Sequence, residues 1–266
     1  MPKILMTFPQ GKHKVLTMSY DDGRRADVRL AGLFNRHGIK GTFHINSGMF
    51  GTNDRLTEEE AVKVYEGHEV SAHTVTHPTI ARCPKELLVS ELFEDRKTLE
   101  RVFGYTVRGM SYPNGSFNTQ IKEMLPHLGI EYARVVQSTG HFGMPDDWLE
   151  WKPTCHHNRD LMNHADQFVA LNKTQYLYMM YVWGHSYEFD NDGNWELIEQ
   201  FCEFIGGRDD IWYATNIEIV DYVKAFQRLR FSASCEFVHN PSAQSVWLSV
   251  DQRIVEVKGG AQARLG

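Results

Sequence analysis

The 266-residue chain has no excess of positive charge. Its 28 lysines and arginines face 34 acidic residues, a formal net charge of −6. That balance argues against a nucleic-acid binder that works by neutralising phosphates. No basic run or basic amphipathic stretch marks a membrane surface. No segment approaches the roughly 18 apolar residues that a membrane helix needs. Cysteine is scarce: Cys83, Cys155, Cys202 and Cys235 stand far apart with no CxxC pair. Such spacing in a chain this long is no disulfide scaffold, and free thiols are expected. There is no internal repeat and no low-complexity segment. The opening run, Met-Pro-Lys-Ile-Leu-Met-Thr-Phe-Pro-Gln, is broken by Thr7 and Pro9 and has no h-region with a small-residue cleavage site. A chain that begins there is expected in the cytoplasm.

What is present is an alternation. Short apolar runs near Val15–Tyr20, Thr42–Ile45, Glu69–Ala72, Val107–Met110, Tyr132–Val136, Tyr176–Trp183 and Ile211–Ala214 read as strands. Between them lie helical stretches near 27–36, 84–103, 118–128, 160–170, 195–205 and 217–228. Thr57 with Glu60 makes a capping box for one short helix, and Gly104 stops a long one. Strand–helix alternation of this kind is the signature of parallel βα units. The expected fold is α/β, a distorted (β/α)7-type barrel over residues 1–229. After Arg230 the pattern becomes three strand-like runs, read as a small C-terminal β appendage over 230–266. The irregular stretch 138–159 between them is rich in Trp, His, Asp and Pro, and long loops of this type are often functional.

The residues able to carry chemistry fall at the ends of the predicted strands, where barrel enzymes place their sites. Asp21 and Asp22 follow the first strand. His73 and His77 follow the third, and Pro78 disfavours helix at His77, so the pair is expected on a turn. Two imidazoles and one carboxylate with coordination positions left open make a catalytic metal set. Taken alone, the His pair could equally be a surface turn and Asp-Asp-Gly an ordinary turn.

The runs Met-Ser-Tyr-Asp-Asp-Gly (18–23) and His-Thr-Val-Thr-His-Pro (73–78) resemble the first two motifs of the polysaccharide deacetylases, the carbohydrate esterase family four. Gly41-Thr42-Phe43 fits that family's second strand. Met110-Ser-Tyr-Pro-Asn-Gly-Ser-Phe-Asn118 resembles its third motif, and Tyr-Val-Trp-Gly-His-Ser (181–186) its fifth. The motifs run in family order over residues 15 to 190. The resemblance implies Asp22, His73 and His77 as metal ligands, Asp21 as general base and His185 as general acid. It implies one divalent metal ion, zinc by default, with cobalt, nickel or manganese open. The backbone N–H of Asn114 would help hold the oxyanion, and Tyr112 and Trp148 would face the substrate. The implied reaction removes an acyl group, N-acetyl above all, from an amino sugar or oligosaccharide.

The chain departs from that pattern in two places. Ser111 stands where the family's third motif has an arginine that orients the base, and Arg108 is either its substitute or an ordinary salt bridge. The aromatic usual at Asn114 is absent. Asp146-Asp147-Trp148 is either the acid supporting His185 beside a sugar-facing aromatic or an exposed turn. Thr-Cys-His-His-Asn (154–158) is a second metal site, a pocket-mouth lining or loop packing, and His44 is a pocket or core histidine. Two other readings remain: a hydrolase of a non-sugar C–N bond in a cyclic ureide or imide, and a carbohydrate-binding relative without activity. The partner is a carbohydrate or small molecule, with no nucleic acid or membrane, and a homo-oligomer is left open.

Overall fold

In the computed structural model, which describes residues 3–265, the architecture follows from the period-2 alternation of β2 and its neighbours. The elements are β1 (Ile4–Thr7), β2 (Lys14–Asp21), α1 (Asp27–Arg36), β3 (Gly41–Ile45), α2 (Glu58–Val64), β4 (Glu69–Ala72), α3 (Lys85–Phe103), β5 (Gly109–Ser111), α4 (Thr119–Met124), β6 (Tyr132–Arg134), β7 (Cys155–His156), α5 (Leu161–Ala170), β8 (Tyr178–Gly184), α6 (Tyr187–Asp192), α7 (Trp195–Ile205), β9 (Ile211–Tyr213) and α8 (Asn216–Gln227). Five short strands close the chain: β10 (Arg230–Phe231), β11 (Phe237–His239), β12 (Val246–Val250), β13 (Arg253–Val257) and β14 (Gln262–Arg264).

Seven parallel strands run in the order β6-β5-β4-β3-β2-β8-β7, and β9 joins β2 beside Lys14–Leu16. The two ends of this path meet. Arg134 of β6 bridges Trp151, four residues before β7, through Trp151 N–H to Ala133 O (2.9 Å) and Val135 N–H to Trp151 O (3.1 Å). The result is the distorted α/β barrel that the alternation predicts.

All eight residues of β2 are buried, as in a strand covered on both faces. Leu16, Met18 and Tyr20 join the apolar cluster under the helices, together with Phe43, Ile45, Val70, Ala72, Met110, Ala133, Met180 and Val182. The alternate residues, Thr17, Ser19 and Asp21, occupy the interior. There they meet other polar side chains. Thr17 donates to Asn216 (2.8 Å), and Thr42 and Tyr132 donate to Glu69 (3.0 and 2.7 Å). His44 is fully buried, with Nε2 3.0 Å from Ser19 Oγ, so it is a core histidine. The barrel is thus lined by a hydrogen-bonded polar network. The C-terminal end of that lining holds Asp21, His73 and Ser111.

Local sequence explains most helix ends. The Thr57–Glu60 capping box opens α2, and Gly104, at φ 74, closes α3. Pro126 ends the α conformation early: the helix expected over 118–128 is α only to Met124 and 3-10 through Leu128. The first of the three strand-like runs expected after Arg230 is interrupted between Phe231 and Phe237. Strands β1, β7 and β14 and helix α6 escaped the sequence reading, being short or polar. The appendage forms two antiparallel three-stranded sheets, β1-β12-β13 and β10-β11-β14. Ile4, from the other end of the chain, Phe226, from the last turn of α8, and Leu229, just after it, pack into its small core.

Candidate metal centre

Asp21 and Asp22 leave β2 in different directions. Asp22 has φ 84, a left-handed conformation unusual for a residue with a Cβ, and its N–H donates to His44 O (2.8 Å). Thr74 (φ 67), His77 (φ 59) and Asn114 (φ 55) share that region. Each such residue costs about 1–3 kcal/mol, so a set gathered at one end of a barrel marks a site that the rest of the fold holds in place.

The restraint on the histidine turn comes from α3 and Asn46. Asp95 accepts from the backbone of His73 (2.9 Å) and Ser47 (2.8 Å), and burial pushes its carboxyl up to about 7. Glu91 accepts from Thr76 N–H (2.8 Å) and Oγ1 (2.6 Å). Asn46 Nδ2 donates to the carbonyls of His73 (2.5 Å) and Thr74 (3.1 Å).

So held, the turn brings three atoms together. His73 Nε2 lies 3.8 Å, and His77 Nε2 3.9 Å, from Asp22 Oδ1. Two ligands about 2.1 Å from one cation stand about 3–4 Å apart, so the spacing suits a shared ion. The donor set fits as well. Asp22 Oδ1 and His73 Nε2 are buried with no hydrogen-bond partner among the described residues. His73 Nδ1 lies 2.9 Å from the Ser111 carbonyl, which can only accept, so Nδ1 carries the proton and Nε2 presents its lone pair. Burial lowers the His73 pKa to about 4, which keeps the ring neutral and able to ligate.

Asp21 sits beside this triangle, 3.8 Å from His73 Nε2. Its partner is Arg134, a fully buried guanidinium reaching across the barrel from β6. Ser111 Oγ donates to the other carboxylate oxygen (3.1 Å). Burial pushes the Asp21 carboxyl up, but the charges of Arg134 and His73 outweigh it and hold the group well below the usual carboxylate range. Arg134 therefore stands where Ser111 left a gap in the sequence pattern. Arg108 does not: it is an ordinary ion pair with Asp221 (2.6 Å) and Glu131 (3.2 Å).

Other expected site residues fall differently. Asn114 is on an exposed 3-10 turn after β5, its amide donating to Thr79 Oγ1 (3.2 Å). Tyr112 does not face the centre: its ring stacks on Phe117 and its hydroxyl donates to Leu149 O (2.7 Å). Trp148 packs edge-on against buried Trp151. Asp147 caps its own 3-10 turn and pairs with Lys122 (2.6 Å), so it is not the acid beside His185.

Residues 9–133 match the family model for polysaccharide deacetylase. That segment belongs to the polysaccharide deacetylase family. A stretch of 114 residues is 25% identical to chitin deacetylase 1 of Cryptococcus neoformans, covering 42% of this chain and 24% of that protein. The match thus spans about a quarter of that relative's length. In fold, the chain is similar to a Mycobacterium smegmatis protein grouped with the polysaccharide deacetylases (TM-score 0.59, 15% identity, 85% of this chain and 96% of that one). It is also similar to the Xyl-CE4 domain of a multidomain xylanase from a Trinervitermes trinervoides hindgut metagenome (TM-score 0.53, 15% identity, 80% and 92%).

Beyond the matched segment, the acid beside His185 is Glu188, three residues on at the start of α6. Its Oε1 is 3.4 Å from His185 Nδ1, and its Oε2 accepts the His185 N–H (3.0 Å). Burial pulls the His185 pKa down, but Glu188 and the charges of Asp21 and Asp22 raise it overall. His156 and His157 converge on the same carboxylate, with Nε2 atoms 3.1 and 3.3 Å from Oε2. These three residues also stand at metal-ligand spacing. The proton positions distinguish the two clusters. Asn158 N–H donates to His156 Nδ1 (3.2 Å), which puts the His156 proton on Nε2, facing Glu188. His156 thus turns a donor to its carboxylate, whereas His73 in the first cluster turns a lone pair towards Asp22.

Proposed function

We propose that this chain hydrolyses an N-acyl bond, removing acetyl from an amino sugar or short oligosaccharide, at a single divalent cation held by Asp22, His73 and His77. The observation that carries the reading is the convergence of three ligand atoms with the His73 proton fixed on the far nitrogen. A cation there would lower the pKa of water towards about 7 and polarise the acyl carbonyl. Zinc is the default; Asp and His ligands alone do not choose among zinc, cobalt, nickel and manganese.

The chain's own groups supply the rest. Asp21, ionised throughout the working range and held by Arg134 and Ser111, receives the proton of the attacking water. His185, its pKa raised by Glu188, donates to the departing nitrogen, which cannot leave as an amide anion. The backbone of the Asn114 turn offers an N–H to the developing oxyanion.

The test is acetate release from N-acetylated sugars, run beside ring opening of cyclic ureides and imides, before and after chelation and metal restoration. The reading expects acetate release that chelation abolishes and metal restores. Asp21→Asn and His185→Ala should each lose about 10²–10⁴ of the rate. Turnover that survives full chelation overturns the reading. Ring opening without acetate release moves the substrate to a non-sugar C–N bond.

A further inference from the structure

We propose that Arg24 and Arg55 form an anion-recognising subsite beside the metal centre, so that the acylated substrate carries a carboxylate or phosphate. This rests on the hydrolase reading and narrows its substrate. Backbone pairing fixes the two residues side by side. Arg24 and Arg55 form an antiparallel bridge, flanked by Leu56 N–H to Gly23 O (3.3 Å) and Arg25 N–H to Asp54 O (3.0 Å). Directly opposed like charges destabilise such a pairing unless something neutralises them.

No carboxylate among the described residues closes an ion pair with either of them. Neither residue has an ion pair within 4.0 Å among the described residues, whereas neighbouring Arg25 holds Glu60 with both terminal nitrogens (3.0 and 3.0 Å). The two nearby acids have other partners. Asp22 faces the histidines, and Asp27 accepts from Tyr65 (2.6 Å). The Nε atoms of both arginines are buried without a hydrogen-bond partner.

The location relative to the chemistry follows from the chain and the rings. Arg24 is two residues after Asp22. Its guanidinium lies 4.9 Å from the ring centre of Tyr187, which is 5.2 Å from the His185 ring. Two planar forks beside the acid of the reaction suit a carboxylate or phosphate on the same molecule as the acyl group. In a chain of net charge −6 this pair is a local exception to the overall sign.

The test compares binding of N-acetylglucosamine, N-acetylmuramic acid and N-acetylglucosamine 6-phosphate to metal-loaded protein by calorimetry, with acetate release followed in parallel. The acidic ligands should bind at least about 10-fold more tightly than the neutral sugar. The order of the two acidic ligands tells carboxylate from phosphate. That advantage should vanish in Arg24→Gln/Arg55→Gln and shrink in Arg55→Lys, which keeps charge but loses the fork. Affinity for the neutral sugar should not change. Equal affinity for all three ligands overturns the proposal, as does an advantage that persists in the double variant, since the anion would then be held elsewhere. Tight acidic binding without acetate release keeps the subsite and defeats the hydrolase reading. Equal acetate release from neutral and acidic sugars, with no affinity difference, does the reverse.

Discussion

Asp21 and Asp22 are adjacent and chemically identical, yet their surroundings give them different work. Asp22 turns through a left-handed φ to face the Nε2 atoms of His73 and His77; Asp21 stays on the barrel lining and meets a buried guanidinium. Arg134→Ala would leave the Asp21 carboxylate buried without its counter-charge. The expected loss of stability is about 3–5 kcal/mol, read by urea unfolding. Adding Asp21→Asn to that variant should recover part of the stability and none of the turnover. Recovery of turnover would show that the ion pair is structural only. The Glu188–His185 pair makes a pH prediction. A general acid works below its pKa, so the alkaline limb of the rate profile tracks His185, which Glu188 raises. Glu188→Gln should move that limb to lower pH and leave the acid limb in place; an unmoved alkaline limb would remove Glu188 from this role.

At the scale of elements, the site depends on which face each strand turns inward and on how closely two strands approach. A Cβ at Gly184 would come within 2.0 Å of His157 Nδ1. Gly184→Ala should therefore displace His157 from Glu188, costing about 1–3 kcal/mol in denaturant unfolding and lowering kcat. Gly32, inside α1 with no heavy atom within 4 Å of its would-be Cβ, is the contrast: Gly32→Ala should add about 0.5–1 kcal/mol. Gly109 has the same kind of neighbour as Gly184, since a Cβ there would lie 2.0 Å from the Tyr132 ring that donates to Glu69. The turn 73–78 shows the complementary case, where a short segment with no regular structure is held by side chains of α3.

For the whole molecule, a cation bound only by the folded chain stabilises it by mass action. Metal at about 100 times its Kd should add about 2.7 kcal/mol, seen as a rise in Tm that chelation reverses. Two buried carboxyls, Glu69 in the barrel lining and Asp27 at the start of α1, make stability depend on pH in a definite direction. Burial raises the carboxyls of Glu69 and Asp27 to about 7, so the native state binds their protons more tightly than the unfolded chain does. Their contribution is full below about pH 4 and is lost as pH rises through about 7. Glu69→Gln should flatten this fall in urea titrations between pH 5 and 8 (an estimate from the same linkage); an unchanged slope would place the proton elsewhere.

Much of this was legible in the sequence because it is local. Strand–helix alternation needs only side-chain period, capping boxes need three residues, and Asp22, His73 and His77 stand at strand ends where a short turn can collect them. Arg134 carried a signal that was not used: a lone charge between Ala133 and Val135 in a strand marks an inward position in a polar-lined barrel. Glu188, His156 and His157 carried less, because their meeting depends on β7 and α6, too short and polar to show a period. By itself, then, the sequence determined the βα order, set by side-chain period along the chain, and singled out Asp22, His73 and His77 as candidates at strand ends. Only the tertiary structure decided which arginine holds Asp21, which acid holds His185 and how β1 joins the C-terminal sheet. Those pairs are separated by strand order and barrel closure, and burial lets charges find partners that no spacing along the chain encodes.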